Sequence, residues 1–232
     1  MIGILGGMGT YAGIDFCNKL AILNEGKIDQ KYPLFLLYNK ADVPKRTQYL
    51  KRYNKILNSL HKGCLLLQRN KCKLIAIPCN LAHYWYDDLQ ERIKIPIINM
   101  PKEVFNYCNK KYRKNIKIGL LARKGTLKTR IYNKFLDKSF QLIIPNTSTQ
   151  IQSVERAIQY VKKGKIGKAS QKINFAVNHL LKRGCKKIIL GCTELPLAIH
   201  NNKKNNIFID SNLILAIKSM EKYRKLKDAR KI

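Results

Sequence analysis

The sequence lacks several features that would assign it to a familiar class of protein. It contains no Cys-x-x-Cys pair, and none of its four histidines stands at metal-ligand spacing from a cysteine, so we expect no metal site. No apolar run is long enough to span a membrane, and the apolar residues 1–9 carry neither a basic segment nor a cleavage signature. Seven cysteines are an odd number, which argues against a disulfide framework. These absences predict a cytoplasmic protein with no membrane partner.

Acidic residues are also scarce, because the chain has 14 of them against 46 basic residues and a formal net charge of +32. Such an excess is typical of proteins that bind nucleic acids or anionic surfaces. Here the charge is spread along the whole chain, and 35 of the 46 basic residues are lysine, whereas planar recognition of phosphate favours arginine. A specific nucleic-acid partner is therefore not expected, although a noncatalytic basic nucleic-acid-binding protein stays open as an alternative.

Short apolar runs alternate with longer amphipathic stretches, a pattern that predicts an α/β fold with parallel sheets. Strands are predicted over residues 2–5, 34–38, 74–77, 96–98, 116–121, 142–144, 188–190 and 207–209. Helices are predicted over residues 47–69, 153–163, 169–183 and 213–227. In such folds ligands bind beyond the carboxyl ends of the strands.

Two motifs recur at a nearly constant offset. Residues 2–5, Ile-Gly-Ile-Leu, followed by Gly-Thr at 9–10, resemble residues 118–121, Ile-Gly-Leu-Leu, followed by Gly-Thr at 125–126. Cys79 and Cys192, each two residues after a predicted strand, lie 113 residues apart, close to half the chain. The sequence therefore predicts two duplicated α/β domains, the first formed by residues 1–98 with 211–232 and the second by residues 99–210.

The first strand leads into a loop rich in glycine, since five of the 13 glycines occur in the first 13 residues. Residues 7–12 satisfy the Gly-x-Gly-x-x-Ala form of a dinucleotide fingerprint. That fingerprint needs an acidic residue at the end of the second strand, but Asp29 precedes the strand predicted over 34–38. A tight turn whose N–H groups face a small anion, such as a carboxylate, is the better interpretation, and a turn that needs glycine only for its backbone angles is an equal alternative.

Cys79 and Cys192 share a setting that the other five cysteines lack. Each follows a buried strand and precedes a small polar residue and the start of a helix, whereas an isolated buried cysteine is usually inert. The remaining five are predicted to be packing residues: Cys17, Cys64, Cys72, Cys108 and Cys185. His83, four residues after Cys79, is expected to be capped or solvated.

Seven motifs occur together in an order that resembles the aspartate/glutamate racemase family, in particular its aspartate racemase branch. They are residues 3–9 (Gly-Ile-Leu-Gly-Gly-Met-Gly), 44–47 (Pro-Lys-Arg-Thr), 78–80 (Pro-Cys-Asn), 125–126 (Gly-Thr), 161–164 (Val-Lys-Lys-Gly), 191–195 (Gly-Cys-Thr-Glu-Leu) and 209–211 (Ile-Asp-Ser). The resemblance covers nearly the whole chain, and the two cysteine motifs with the glycine loop make it specific.

The resemblance implies two pseudo-symmetric αβα domains, an active site at the domain interface and a homodimer. It also implies inversion of aspartate or glutamate at Cα without a cofactor. Inversion needs a base on one face of Cα and an acid on the other. Cys79 and Cys192 are the implied acid/base pair, one as thiolate and the other as thiol.

The family motifs also suggest which residues hold the amino-acid substrate. Arg46 matches a carboxylate-binding arginine, and Lys162 matches a lysine that faces a side-chain carboxylate. The implied substrate-binding set is Met8, Arg46, Asn80, Thr126, Lys162, Thr193 and Glu194.

Three residues depart from the family pattern: Leu81 replaces a usual Thr, Arg123 a small or polar residue, and Asn212 a usual Thr. Because these departures put the identity of the substrate in doubt, an isomerase or decarboxylase of another small acid on the same fold stays open.

Overall fold

The computed structural model describes residues 1–24, 28–49, 51–112, 115–199 and 205–228. The chain divides into two compact units. The first consists of Met1–Glu103 and Asn212–Ile232, and the second of Val104–Ser211.

The first unit is built on a parallel sheet of three strands. These are β1 (Ile2–Gly6), β2 (Phe35–Asn39) and β3 (Leu74–Ala76), in the order β2-β1-β3. Ile2 at the start of β1 pairs with Phe35 on one side and Leu74 on the other. The strand predicted over 96–98 is reduced to a single parallel bridge between Ile75 and Ile97.

Three helices follow the strands of this unit: α1 (Thr10–Ile22), α2 (Tyr53–Arg69) and α3 (Tyr86–Arg92). Short 3-10 helices occupy Asp29–Lys31, Arg46–Gln48 and Asn80–Trp85. The helix predicted from residue 47 begins at Tyr53, because its buried apolar face starts only at Ile56. Leu50, within the predicted range, lies outside the described residues.

The second unit contains four parallel strands: β4 (Ile116–Leu121), β5 (Phe140–Ile143), β6 (Lys187–Leu190) and β7 (Phe208–Asp210). Their order is β5-β4-β6-β7. In each unit the first strand therefore lies between the second and the third. The prediction of two α/β units with parallel sheets is confirmed.

The helix α4 (Met100–Lys111) contains the boundary between the two units. Within the second unit, α5 (Lys124–Thr129) follows β4, and 3-10 helices occupy Asn133–Phe135 and Asn205–Ile207. A helical stretch then combines α6 (Thr147–Thr149), a π-helix (Gln150–Glu155) and α7 (Arg156–Lys162). The last helices are α8 (Ile166–Lys182), α9 (Leu195–Ile199) and α10 (Ser211–Asp228).

The helix α10 belongs almost entirely to the first unit. Leu215, Ala216 and Met220 join Ile2, Phe16 and other buried side chains of that unit in one apolar cluster. The side chain of Asn212 donates a hydrogen bond of 2.7 Å to Asp15 on α1. Across the described ranges, no helix combines the length and the apolar character needed to cross a bilayer.

Candidate active site

The carboxyl ends of β1, β2 and β3 bring the glycine loop, the segment after β2 and Cys79 to one edge of the first sheet. Gly7 has φ +87°, and a Cβ there would lie 2.2 Å from the carbonyl carbon of Lys40. Only glycine fits this turn, because both the backbone angle and the contact exclude a side chain. Met8, the next residue, is buried in the same apolar cluster as Val43 and Cys79.

Arg46 fastens the loop after β2 to the glycine loop. Its guanidinium donates 2.8 Å to the carbonyl of Met8, 3.3 Å to that of Val43 and 3.4 Å to that of Pro44. These bonds go to neutral carbonyls, and the buried Nε has no hydrogen-bond partner among the described residues. The predicted pair Met8 and Arg46 is therefore brought together by a direct contact.

Cys79 is an extended residue directly before the 3-10 helix Asn80–Trp85. Its carbonyl accepts a 3.1 Å bond from the backbone N–H of Ala82, which fixes the start of that helix. The residue is 7% exposed, and its neighbours Asn80 and Leu81 are buried.

The ring of His83 is buried and faces two backbone carbonyls of the first unit. His83 was expected to be capped or solvated; it is neither capped at a helix end nor solvated, so this expectation was wrong. Its Nδ1 lies 3.0 Å from the carbonyl of Cys79, and its Nε2 lies 3.2 Å from the carbonyl of Ile98. Burial lowers the pKa of His83, although the hydrogen bonds to these carbonyls oppose that shift. The buried ring therefore links Cys79 to Ile98, in the segment that leads into α4.

Cys192 occupies the corresponding position after β6 in the second unit. Gly191 before it is closely packed, since a Cβ there would lie 2.6 Å from Cδ1 of Leu120 and 3.1 Å from Cβ of Ala122. Cys192 is 7% exposed, and its Sγ donates a hydrogen bond of 2.9 Å to Oε2 of Glu194. Because a carboxylate accepts and does not donate, this geometry holds Cys192 as a neutral thiol.

The carboxylate of Glu194 also faces a cation. Its Oε1 lies 3.0 Å from Nζ of Lys162, within ion-pair range but without the alignment of a hydrogen bond. The pKa of Cys192 is raised well above its ordinary value, first by burial and then by the charge and hydrogen bond of Glu194; Arg123 and Lys162 act in the opposite direction. Three of the predicted residues, Cys192, Glu194 and Lys162, thus form one contact chain.

A second cluster of polar side chains lies at the carboxyl end of β4. Arg123 donates 3.1 Å from Nε to Oε2 of Glu155, and Glu155 also accepts a 2.6 Å bond from the backbone N–H of Lys124. Gln150 donates 2.8 Å to the carbonyl of Ala122. Both Gln150 and Glu155 lie on the π-helix, a distortion that is frequent at functional sites. From the sequence, Arg123 was noted only as a departure from the family pattern, and its pairing with Glu155 was not predicted.

Thr126 and Thr193 are both buried. Thr126 lies in α5, where its carbonyl accepts a bond from the hydroxyl of Thr129. Thr193 stands between Cys192 and Glu194 in the chain. Their roles in binding a substrate stay predictions.

The other five cysteines behave as packing residues. Cys64, Cys72, Cys108 and Cys185 are buried and Cys17 is partly buried. Burial raises the pKa of Cys64 and of Cys108 to about 12 and that of Cys17 to about 11. Within the described residues, no group of three or more His, Cys, Asp or Glu side chains could hold a metal ion.

Comparison with known proteins identifies relatives along nearly the whole chain. The sequence profile described as Asp/Glu/Hydantoin racemase matches residues 5–217. The broad specificity amino-acid racemase RacX of Bacillus subtilis (strain 168) is 25% identical over 230 residues, which cover 96% of this chain and 98% of that protein.

Solved structures share the fold. Picrophilus torridus aspartate racemase superposes with a TM-score of 0.84 at 29% identity, covering 96% of this chain and 93% of that chain. Glutamate racemase from Francisella tularensis, solved in complex with D-glutamate, has a TM-score of 0.72 at 17% identity and covers 97% and 81% of the two chains. At that identity the second likeness concerns the fold alone.

Proposed function

Because the chain belongs to the Asp/Glu/hydantoin racemase family, we propose that it is an amino-acid racemase in which two thiols invert Cα without pyridoxal phosphate. The observation that supports this proposal is the hydrogen bond from the thiol of Cys192, two residues after β6, to the carboxylate of Glu194. Cys79 at the end of β3 is the matching thiol of the other unit.

Inversion at Cα requires that a base remove the proton from one face while an acid supplies a proton to the other. Cys192 holds its proton and is the acid in the resting protein. In that direction of inversion Cys79 is the base that removes the Cα proton. The chemistry requires both sulfurs to reach one substrate carbon from opposite sides, and the two roles exchange after each turnover.

The difficult step is loss of the proton from Cα. The pKa of the carbon acid exceeds that of a thiol by roughly a dozen units, and each unit corresponds to about 1.36 kcal/mol. Donors that stabilise the negative charge developing on the α-carboxylate must offset this difference. Arg46, with a guanidinium held by neutral carbonyls, is the candidate for this task, since its charge faces no carboxylate among those bonds.

Aspartate and glutamate are the proposed substrates. Picrophilus torridus aspartate racemase supports this assignment by its name and its 29% identity, and Lys162 supplies a cation on the same chain of contacts as Cys192. A homodimer in the cytoplasm completes the proposal, and light scattering of the purified protein measures its oligomeric state.

The test is exchange of the Cα proton in deuterated water, followed by mass spectrometry and chiral chromatography with L- and D-amino acids. The unmodified protein is expected to incorporate deuterium and to invert its substrate, with no absorbance band from pyridoxal phosphate. Cys79→Ala and Cys192→Ala should each abolish inversion, whereas the matched control Cys185→Ala should retain it. Full inversion by either site variant would refute the two-thiol mechanism.

A further inference from the structure

In one direction of inversion Cys192 must give up its proton and act as the base, a requirement that rests on the proposed racemase function. Burial and the carboxylate of Glu194 both oppose this ionisation, since they raise the pKa of Cys192. A thiolate in this setting is therefore stabilised only if a cation lies near the sulfur.

The strand pairing of the second unit places Arg123 beside Cys192. In the parallel pair of β4 and β6, Leu121 lies opposite Leu190. Arg123 and Cys192 each stand two residues beyond that pair. The two segments stay in contact after the strands end, because the N–H of Gly191 donates 2.8 Å to the carbonyl of Leu121. Neighbouring strands lie about 4.8 Å apart, so Arg123 and Cys192 project from adjacent backbones.

The π-helix holds Arg123 in this position through both of its ends. Its first residue, Gln150, donates 2.8 Å to the carbonyl of Ala122. Oε2 of its last residue, Glu155, lies 3.1 Å from Nε of Arg123 and 3.1 Å from a terminal nitrogen of the same guanidinium. Oε1 of Glu155 accepts a 2.6 Å bond from the backbone N–H of Lys124. One helical element thus fixes three consecutive residues after β4.

The groups around Cys192 divide into those that favour the thiol and those that favour the thiolate. Burial and Glu194 favour the thiol, whereas the charges of Arg123 and Lys162 lower the pKa of Cys192. The effect is reciprocal: burial lowers the pKa of Arg123, but the charges of Glu155 and then of Cys192 raise it above its ordinary value.

Two further titratable groups lie in this part of the second unit. Burial raises the pKa of Tyr132, and the charges of Cys192 and Asp210 add to that shift. Asp210 ends β7. Neither group supplies a positive charge. Of the two cations, Lys162 pairs with Glu194, the carboxylate that holds the thiol, whereas Arg123 pairs with a different carboxylate.

We propose that Arg123, held by Glu155, is a positioning residue that stabilises the thiolate of Cys192 in the direction of inversion in which this sulfur is the base. Arg123 stands where the family pattern has a small or polar residue, so the device is a feature of this chain. Its side chain is 29% exposed, and solvent screens its charge. The expected gain in thiolate population is therefore moderate, about threefold to tenfold.

The experiment is alkylation of Cys192 by iodoacetamide, followed by mass spectrometry at several pH values between pH 8 and pH 10. Because the reagent attacks the thiolate, Arg123→Gln should slow alkylation about threefold to tenfold and move the profile to higher pH. Arg123→Lys keeps the charge and should react within about twofold of the unmodified protein. The matched control is Arg183→Gln, which removes a cation that acts on Cys185 and should leave Cys192 unchanged.

A purely structural role for Arg123 predicts a change of the opposite sign, because a loosened site exposes the sulfur and speeds its alkylation. Equal or faster alkylation of Cys192 in Arg123→Gln would therefore overturn the proposal. Cys185, buried in the same unit, reports whether the unit stays intact. If Cys185 becomes reactive in Arg123→Gln, the same comparison is made with Arg123→Met, and the same outcomes decide it.

Inversion of the substrate separates this proposal from the racemase function. The kcat/KM of Arg123→Gln should fall at least about threefold with both enantiomers, because the equilibrium between them is fixed, and Arg123→Lys should restore most of it. Slower alkylation with unchanged kcat/KM would overturn the role of Arg123 in inversion. Slower alkylation in a protein that inverts no amino acid would contradict the racemase function and leave the effect of Arg123 on the thiol in place.

Discussion

At the scale of single residues, the hydrogen bond between Cys192 and Glu194 predicts that the thiol of Cys192 reacts slowly with alkylating reagents. Alkylating reagents attack the thiolate and not the thiol. Burial and Glu194 raise the pKa of Cys192, so its alkylation should be slow near pH 8 and should accelerate only well above the ordinary thiol range. In Glu194→Gln the pKa of Cys192 should fall, and alkylation at pH 8 should be at least tenfold faster.

Mass spectrometry of iodoacetamide-treated protein measures this rate for each cysteine. Cys64 provides an internal reference, because its pKa is raised to about 12 by burial alone and should be the same in the unmodified protein and in Glu194→Gln. Identical pH profiles for Cys192 in the unmodified protein and in Glu194→Gln would contradict the assignment of Glu194 as the group that holds the thiol protonated.

Some features of the candidate site could be predicted from the sequence, and others could not. Cys79 and Cys192 could be found because each follows an apolar run that forms a buried strand. The partnership of Arg123 with Glu155 could not be found, since the two are 32 residues apart and Glu155 sits in a stretch with ordinary helical periodicity. Neither residue carries a local signal of that contact.

At the scale of elements, the 3-10 helix Asn80–Trp85 depends on His83. A neutral imidazole has one N–H, yet both of its nitrogens face carbonyls, those of Cys79 and Ile98. His83→Ala would leave both buried carbonyls without this partner, and the free energy of unfolding should fall by about 1–3 kcal/mol. His83→Gln, which retains a side-chain donor, should lose less.

We also expect the free energy of unfolding to depend on pH through His83. Since burial lowers the pKa of His83 below its ordinary 6.5, the unfolded chain binds a proton more readily than the folded one as the pH falls. This contribution to stability is present above pH 6.5 and is lost on acidification below it. Denaturant unfolding at pH 7.5 and pH 5.5 should show a smaller difference in His83→Ala than in the control His61→Ala. Equal differences in the two variants would contradict this account.

Elements with a continuous apolar pattern were predicted well, and elements defined by hydrogen-bond geometry were not. β1 and β4 follow runs of buried side chains, and α8 follows a clear helical period. The π-helix Gln150–Glu155 has no such signature, because its wider turn differs from an α-helix only in the bonding of the backbone. The strand predicted over 96–98 is present only as a short parallel pairing with Ile75, which forms one bridge to Ile97 and backbone hydrogen bonds of 2.9 Å to Pro96 and Ile98.

At the scale of the whole molecule, the first unit is discontinuous in sequence and depends on α10. Leu215, Ala216 and Met220 cover Ile2, Phe16 and their neighbours. A chain ending at residue 211 would leave that apolar cluster open, and loss of several large buried contacts destabilises a unit by several kcal/mol. Such a chain should bind a hydrophobic dye and unfold at lower denaturant concentration than the full chain.

The comparison is fluorescence of the dye and urea unfolding for the full chain, the chain ending at 211 and the substitution Leu215→Ala in the full chain. Leu215→Ala should show an intermediate loss of about 2–5 kcal/mol, because it deletes one fully buried side chain and leaves the helix in place. Unchanged unfolding of the shortened chain would contradict the role of α10 as part of the first core.

The position of α10 also has a consequence for the order of events on the ribosome. The segment between the two parts of the first unit, residues 104–211, is one uninterrupted stretch that is synthesised before residue 212. The amino-terminal 103 residues are synthesised first, yet the helix that covers Ile2 and Phe16 is synthesised last. During synthesis the apolar side chains of the amino-terminal part therefore stay uncovered until α10 has been made, and such transiently exposed apolar surface makes a nascent chain prone to aggregation.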